Sequence, residues 1–314
     1  MRKEHASRWK RRLPLLLLAL GVVACLVVGL GSRLPASPIP GWRELYVALG
    51  LAPDTATAEG ELEVHFLAVG NADCALIRRG ECAVLVDGGE PGDSDRIVEY
   101  LRRHGVDRLE LVVATHGHAD HVGGLPGVLE QVPVERLLVG YTEPAEDADS
   151  AYETLLSVAA ARQVPVETVQ AGGVYTFGGA RLHVLWPRIQ AEEENDRSIV
   201  ARLSYGGRAF LFTGDAGTAV ETALLQENVA VQADVLKVSH HGGDTASSEA
   251  FLRRVAPVYG VIPCGEDNLH GHPAEDVLRR LRERGITCLR NDVAGNIVFT
   301  TDGERLTVET ESTE

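Results

Sequence analysis

The chain has 314 residues and a formal net charge of −15, with 45% hydrophobic and 24% charged residues. This composition is typical of a globular protein with a buried core, and it excludes a chain that is disordered over most of its length. A strongly acidic protein is also a poor candidate for tight, non-specific nucleic-acid binding, which needs many Lys and Arg residues to neutralise phosphates. No short repeat is visible, which excludes a solenoid or a propeller.

The N-terminus has the charge and hydropathy pattern of a membrane anchor. Residues 1–12 contain six Lys and Arg residues against one Glu, and residues 13–31 are uncharged and almost entirely apolar. At about 1.5 Å per residue, a helix of this length crosses a bilayer core. We therefore expect a basic cytoplasmic segment (1–12), a transmembrane signal anchor (13–31) and an extracytoplasmic domain. Two alternatives stay open, namely cleavage near Leu34–Ala36, which would release a secreted protein, and lipidation at Cys25.

Residues 32–60 are rich in Pro, Gly and Ala and are predicted to be a linker. The folded domain is predicted to span residues 61–314. Its first half begins with strands, two of which are joined by a turn at Arg79-Gly80. The elements predicted in this half are strands at Leu62–Val69, Cys74–Arg78 and Ala83–Asp87, a helix at Ser94–His104, a buried strand at Leu109–Thr115 and a helix at Ser150–Arg162.

The second half of the domain again combines strands with helices. The predicted strands are Arg181–Trp186, Ser198–Tyr205, Arg208–Thr213, Ala233–Ser239, Val258–Pro263, Gly295–Thr300 and Arg305–Glu309. The predicted helices are Thr218–Gln226, Ser247–Val255 and Ala274–Arg284. Two runs of strands with interleaved helices indicate a layered α/β sandwich. A TIM barrel would need a stricter alternation of strands and helices.

Four potential metal ligands lie within six residues, directly after the strand predicted at Leu109–Thr115. They are His116, His118, Asp120 and His121, and imidazole and carboxylate groups suit zinc and similar metals. His116 and His118 are two residues apart and can face one ion from an extended loop, while Asp120 and His121 can face a second ion. This density of ligands predicts a two-metal site, with zinc as the expected metal and manganese as the alternative.

The HxHxDH pattern of residues 116–121 closely resembles that of the metallo-β-lactamase superfamily, and the resemblance covers residues 62–309. Further motifs narrow it to the hydrolase domain of ComEC-type DNA-internalisation proteins and their stand-alone relatives. These motifs are VGNADCALI at 69–77, NDRSIVARL at 195–203, FLFTGD at 210–215, DVLKVSHHGG at 234–243 and NLHGHP at 268–273. The resemblance implies an α/β fold, the superfamily's αββα sandwich, and a metal-dependent hydrolase.

The resemblance also implies roles for residues outside the cluster. Asp87 matches the aspartate that supports the metal loop, and Asp215 matches the metal-bridging aspartate. His240 and His241 offer one late histidine ligand. Neighbours on an extended segment face opposite ways, and we favour His240 over His241. His272 is expected near the site, in contact with the substrate or the leaving group.

Two features depart from the family pattern. ComEC-type proteins carry a many-helix membrane channel, whereas this chain has one predicted span and is not by itself a DNA channel. Many superfamily members have a metal-binding histidine where this sequence has Asn195. A neutral amide is a poor zinc ligand, so we expect fewer protein groups to hold one of the two metals.

These observations lead to the hypothesis of a phosphodiesterase. Two divalent ions would bind a bridging water and lower its pKa, and the resulting metal-bound hydroxide would attack the substrate. Asp120 would bind metal and orient this nucleophile. The expected substrate is a phosphodiester, either in a nucleic acid or in a smaller molecule. The alternatives are a β-lactam or ester hydrolase, and a non-catalytic metal-binding accessory protein at the membrane, which the Asn195 departure favours.

Overall fold

The computed structural model describes residues 60–143, 150–187, 191–266 and 270–311. The predicted basic segment, membrane anchor and almost all of the predicted linker lie outside the described residues. Those three assignments stay predictions. Within the described ranges, no helix has the length and apolar character that a membrane span requires.

The first sheet has eight strands, which are labelled here in chain order. Its spatial order is β15-β14-β1-β2-β3-β4-β5-β6. Pairing is antiparallel from β15 to β3 and parallel from β3 to β6. The strands are β1 (Leu62–Phe66), β2 (Ala75–Arg79), β3 (Cys82–Val86), β4 (Leu111–Ala114), β5 (Leu137–Val139), β6 (Val166–Thr168), β14 (Asn296–Thr301) and β15 (Leu306–Glu311).

The second sheet has seven strands and repeats the same pairing pattern. Its order is β13-β12-β11-β10-β9-β8-β7, antiparallel from β7 to β10 and parallel from β10 to β13. The parallel part of each sheet needs crossover connections, and helices supply most of them. The strands are β7 (Val174–Phe177), β8 (Ala180–Trp186), β9 (Val200–Tyr205), β10 (Arg208–Phe212), β11 (Val235–Lys237), β12 (Tyr259–Ile262) and β13 (Thr287–Arg290).

Eight helices connect the strands in the described part of the chain. They are α1 (Ser94–Arg103), α2 (Ala119–Val122), α3 (Leu125–Gln131), α4 (Ser150–Ala161), α5 (Thr218–Gln226), α6 (Glu249–Val255), α7 (Glu275–Glu283) and α8 (Asn291–Ala294). The hydroxyl oxygen of Ser248 caps α6, because it accepts a hydrogen bond from the Phe251 amide at 3.3 Å. Within α1, Arg103 pairs with Glu99 one helical turn away.

The two sheets pack face to face through a core of aromatic and aliphatic side chains. The ring centroids of Phe66 on β1 and Phe212 on β10 are 5.9 Å apart, and those of Phe210 and Phe299 are also 5.9 Å apart. Side chains alternate along each strand, so Leu211 faces a second core that includes residues of α5, α6 and α7. The predicted α/β fold with two packed sheets is therefore confirmed.

The hairpin between β2 and β3 corrects one detail of the sequence analysis. Arg79 pairs with Cys82, so the two-residue turn is Gly80-Glu81 and not the predicted Arg79-Gly80. Gly80 has a φ of 57°. Tight hairpin turns require a positive φ at the first central position, and glycine adopts it without a steric penalty. The turn therefore centres one residue later than predicted.

The fold brings the predicted site residues to one edge of the sandwich. Asp87 follows β3, the segment 115–121 follows the neighbouring parallel strand β4, Asp215 follows β10 and His241 follows β11. The carboxyl ends of parallel strands meet at the same sheet edge, which is where open α/β sheets bind ligands.

Close backbone approach at this edge depends on glycine. A Cβ atom on Gly124 would lie 2.2 Å from the carbonyl oxygen of Gly88, which follows β3. Neither backbone segment can yield easily, because both belong to the loops that carry Asp87 and His121. A Cβ atom added to Gly92, in contrast, would meet no other atom within 4 Å.

We predict that Gly124→Ala destabilises the protein by about 1–3 kcal/mol, the usual effect of forcing atoms into a packed site. Gly92→Ala is the matched control and should leave the stability unchanged. Urea unfolding of the two metal-free variants beside the wild type measures the difference. Equal stability of both variants would contradict the close approach.

Candidate metal centre

Asp87 holds the loop that carries the histidine cluster. Its carboxylate accepts hydrogen bonds from the Thr115 amide and the Thr115 hydroxyl, both at 2.8 Å. The same carboxylate lies 2.9 Å from Nδ1 of His121. Because a carboxylate accepts, Nδ1 of His121 carries a proton, and Nε2 is directed away from Asp87.

Four side chains converge beyond this loop. Asp120, His121, Asp215 and His241 each offer one ligand atom, and these atoms all lie within 4.8 Å of one another. Nε2 of His121 is 3.2 Å from Oδ1 of Asp215, and Nε2 of His241 is 3.1 Å from Oδ2 of Asp120. Both Nε2 atoms are buried and make no hydrogen bond. Buried nitrogen atoms of this kind beside two carboxylates fit a divalent cation.

A second pair of donors lies beside this cluster. Nε2 of His116 is 3.1 Å from Nδ1 of His118, and the rings of His116 and His121 are 4.1 Å apart. On the other side of the His116 ring, Nδ1 lies 3.3 Å from Oγ of Ser198, which also accepts a hydrogen bond from the Asp215 amide at 3.0 Å. His116 and His118 thus present two converging nitrogen atoms next to the first cluster, which makes this a candidate dinuclear site.

The structure places His241, and not His240, inside the first cluster. Nδ1 of His241 donates to the carbonyl oxygen of Pro263 at 3.0 Å, which leaves Nε2 facing Asp120 and Asp215. His240 instead pairs through Nδ1 with Thr245, and its Nε2 is 3.9 Å from Asp215. His241 is therefore better placed than the predicted His240 for the ligand role, which stays a prediction.

The remaining predicted residues line the cavity above the cluster. Asn195 lies in a short 3-10 turn and its Oδ1 atom is buried without a hydrogen-bond partner. The ring centroid of His272 is 5.1 Å from that of His240 and 6.4 Å from that of His241. Both residues border the same open cavity of about 500 Å³ as His118 and Asp120. Their predicted roles toward metal and substrate stay predictions.

The charged groups of the cluster shift the pKa values of one another. Burial alone would lower the pKa of His121, but the surrounding carboxylates, that of Asp215 first, raise this pKa well above its ordinary value. Burial alone would raise the pKa of Asp215, but His121, His241 and Lys237 hold it well below its ordinary range. Burial and the neighbouring His121 lower the pKa of His116. A metal ion would therefore meet ionised carboxylates and would displace a proton from His121.

Sequence reasoning missed several buried polar residues that support the centre. Glu194 is fully buried, and its Oε1 atom accepts a hydrogen bond from the Gly117 amide at 2.5 Å, between the two histidines of the loop. Asp73 and Lys237 form a buried ion pair behind the cluster. Asp73 and Lys237 lie inside motifs that carried the family resemblance, at 69–77 and 234–243. Their position in these motifs was the sequence signal that could have identified them as part of the site.

A family model described as the metallo-β-lactamase superfamily matches residues 67–266, which include the whole donor set. The chain belongs to this superfamily. Members are typically hydrolases, and the convergent donors agree with that chemistry. The protein is therefore a metallo-β-lactamase-fold hydrolase with a candidate dinuclear metal site.

The chain is also similar to competence proteins. It is 32% identical over 291 residues to competence protein ComA of Neisseria gonorrhoeae, covering 91% of this chain and 39% of that protein. It is 30% identical over 204 residues to ComE operon protein 3 of Bacillus subtilis (strain 168), covering 65% of this chain and 26% of that protein. The predicted relationship to ComEC-type proteins is confirmed. The chain spans less than half the length of either relative.

Solved structures agree on the fold. The metallo-β-lactamase fold protein YhfI from Bacillus subtilis superposes with a TM-score of 0.54 at 12% identity, covering 77% of this chain and 100% of that chain. Igni18, a metallo hydrolase from the archaeon Ignicoccus hospitalis, gives a TM-score of 0.51 at 12% identity, covering 80% and 100%. At this identity the likeness concerns the fold alone.

The assignment of His241 is tested by two matched substitutions. We predict that His241→Gln loses about one bound metal ion per chain, because it removes one ligand from the four-residue cluster. His240→Gln should retain the wild-type metal content. Elemental analysis after dialysis measures both, with the thermal unfolding of each variant as the folding control. Loss of metal from the His240 variant alone would contradict the assignment.

Proposed function

We propose that this domain is a metal-dependent phosphodiesterase. The observation that carries the proposal is the position of the two donor groups, side by side at the floor of an open cavity. His116 and His118 form one group, and the cluster around Asp215 forms the other. Paired metal sites of this kind suit phosphoryl chemistry, since two cations stabilise the attacking and the leaving oxygen of an in-line displacement.

The charge of the cavity supports the same substrate class. Among the described residues that line it, acidic side chains include Glu90 and Asp120, and none is Lys or Arg. Without bound cations such a cavity would repel a phosphodiester. Cations held by the metal-ligand set would therefore be the source of the positive charge that a phosphate would meet. The similarity to competence proteins agrees with the phosphodiester substrate that the family resemblance implies.

Asp120 and His272 have separate proposed roles around the substrate. Bound divalent ions would supply Lewis acidity and lower the pKa of a water molecule. The Asp120 carboxylate, which is 3.1 Å from Nε2 of His241 through one oxygen, has a second oxygen that can accept a proton from the attacking water. His272 lies in the cavity wall and would give a proton to the departing alkoxide. Hydrolysis then yields a phosphomonoester and an alcohol.

The proposal is tested with the full chain loaded with Zn²⁺ or Mn²⁺ and the substrate bis(p-nitrophenyl) phosphate. We expect metal-dependent turnover that falls at least about 100-fold in Asp120→Ala, since this change removes a metal ligand and a proton acceptor. The exposed Asp276 on α7 offers a matched control, and Asp276→Ala should keep the wild-type rate.

A chromogenic β-lactam is assayed in parallel. Turnover of the β-lactam without turnover of the phosphodiester would contradict the proposal and favour the amide or ester hydrolase. Two bound metals with no turnover of either substrate would contradict both enzymes and favour a binding role.

A further inference from the structure

A buried ion pair lies directly behind the candidate metal centre. Lys237, at the end of β11, is 3% exposed, and its ammonium group pairs with Oδ2 of Asp73, which is 5% exposed. The same ammonium group donates to the carbonyl oxygen of Gly214 at 2.8 Å and lies 3.4 Å from Oδ1 of Asp215. One cation thus contacts both a supporting carboxylate and a carboxylate of the metal cluster.

Asp73 extends these contacts to the rest of the cluster. Its Oδ1 atom is 3.4 Å from Nδ1 of His241, and its Oδ2 atom is 3.8 Å from Nδ1 of His121. Its main-chain amide donates to the carbonyl oxygen of Asp120 at 3.0 Å. The pair therefore contacts all four members of the cluster. Asp73 reaches His121 and His241 through its side-chain oxygens and Asp120 through its main-chain amide. Lys237 reaches Asp215.

Stability alone does not account for such a pair. Removing two charges from water is unfavourable, and apolar side chains of similar volume often fill such a position with equal or better stability. Lys237 and Asp73 are surrounded by core residues such as Phe66 and Phe212, beside a small internal cavity that both ion-pair partners line. Their charges are therefore better explained by an effect on the cluster in front of them.

We propose that Lys237 and Asp73 act as a positioning pair for the bridging carboxylate Asp215. Lys237 engages Oδ1 and fixes the plane of the carboxylate, so that Oδ2 stays directed at His241 and the cation site. A lysine without a neutralising partner, this close to Asp215, would repel a divalent cation bound there. Asp73 cancels that charge, so the pair orients Asp215 without a net repulsion. This inference rests on the metal-dependent function proposed above.

The two partners have separable effects. In Lys237→Met with Asp73→Asn, both charges are removed together, so the core remains neutral and filled while Asp215 loses its donor. In Asp73→Asn alone, Lys237 still orients Asp215, but its charge is no longer cancelled. The first variant should disturb the geometry of metal bridging, and the second should weaken the binding of metal without changing that geometry.

The experiment uses Mn²⁺ as the probe with the full chain. Isothermal titration gives the affinity of each ion, and electron paramagnetic resonance distinguishes an exchange-coupled manganese pair from isolated ions. We expect two Mn²⁺ per wild-type chain and a coupled spectrum. The double variant should unfold thermally like the wild type in its metal-free form, yet bind the second Mn²⁺ at least about 10-fold more weakly and lose the coupled spectrum.

The single variant Asp73→Asn keeps the inference falsifiable if the double variant fails to fold. It should bind Mn²⁺ about 10-fold more weakly and retain the coupled spectrum at saturation. A folded double variant with wild-type affinity and a coupled spectrum would show that the pair is only structural. Unchanged affinity in Asp73→Asn would also overturn the proposal, as would a wild-type chain that binds fewer than two ions. A wild-type chain that binds two ions but hydrolyses no phosphodiester would defeat the proposed activity and not the positioning pair.

Discussion

The carboxylate of Asp87 is the contact on which the candidate metal centre depends. It accepts two hydrogen bonds from Thr115 and one from His121, and in this way joins the end of β3 to the loop after β4. Asp87 itself adopts a φ of 58°, an uncommon conformation for a residue other than glycine. A strained backbone at a buried carboxylate indicates that its surroundings determine its position strongly. Without it, the ring of His121 would lose one hydrogen bond and the loop after β4 would lose two.

Several carboxylates are buried near Asp87, and their negative charge needs nearby positive charge to balance it. Asp73, Asp87 and Asp215 are each at most 5% exposed, and they lie close to His121, His241 and Lys237. Lys237 is the permanently charged member of this group, since the histidines carry charge only when protonated. Bound cations would take over the balancing role of the protonated histidines. The same arrangement would let an acidic protein bind the phosphodiester proposed as its substrate.

Much of the fold could be predicted because its signals are local. Helix α5 begins and ends at the predicted residues, Thr218 and Gln226, and the apolar run before the cluster is a buried strand. The strands β5 and β6 have three residues each, too few for a periodic pattern, and were not predicted. The position of the hairpin turn was predicted one residue too early, because several residues near Gly80 are compatible with a two-residue turn.

The candidate site was predictable to the extent that its potential ligands are adjacent in sequence. His116, His118, Asp120 and His121 could be recognised from spacing alone. The cluster contains His241 rather than the favoured His240 for a conformational reason. Both residues have a positive φ, of 52° and 50°, so the argument from an extended segment does not apply. Asp73 and Lys237 are 164 residues apart in the sequence. Their pairing arises from the packing of two sheets, and no local sequence pattern predicts such a contact.

The most direct test is a crystal structure of the Mn²⁺-loaded protein, with an anomalous difference map recorded at the manganese absorption edge. The account predicts two peaks, one bound by His116 and His118 and the other by Asp120, His121 and His241, with Asp215 in contact with both. A map with no peak among these residues, or with a single ion held by His240 while His241 stays unligated, would contradict it.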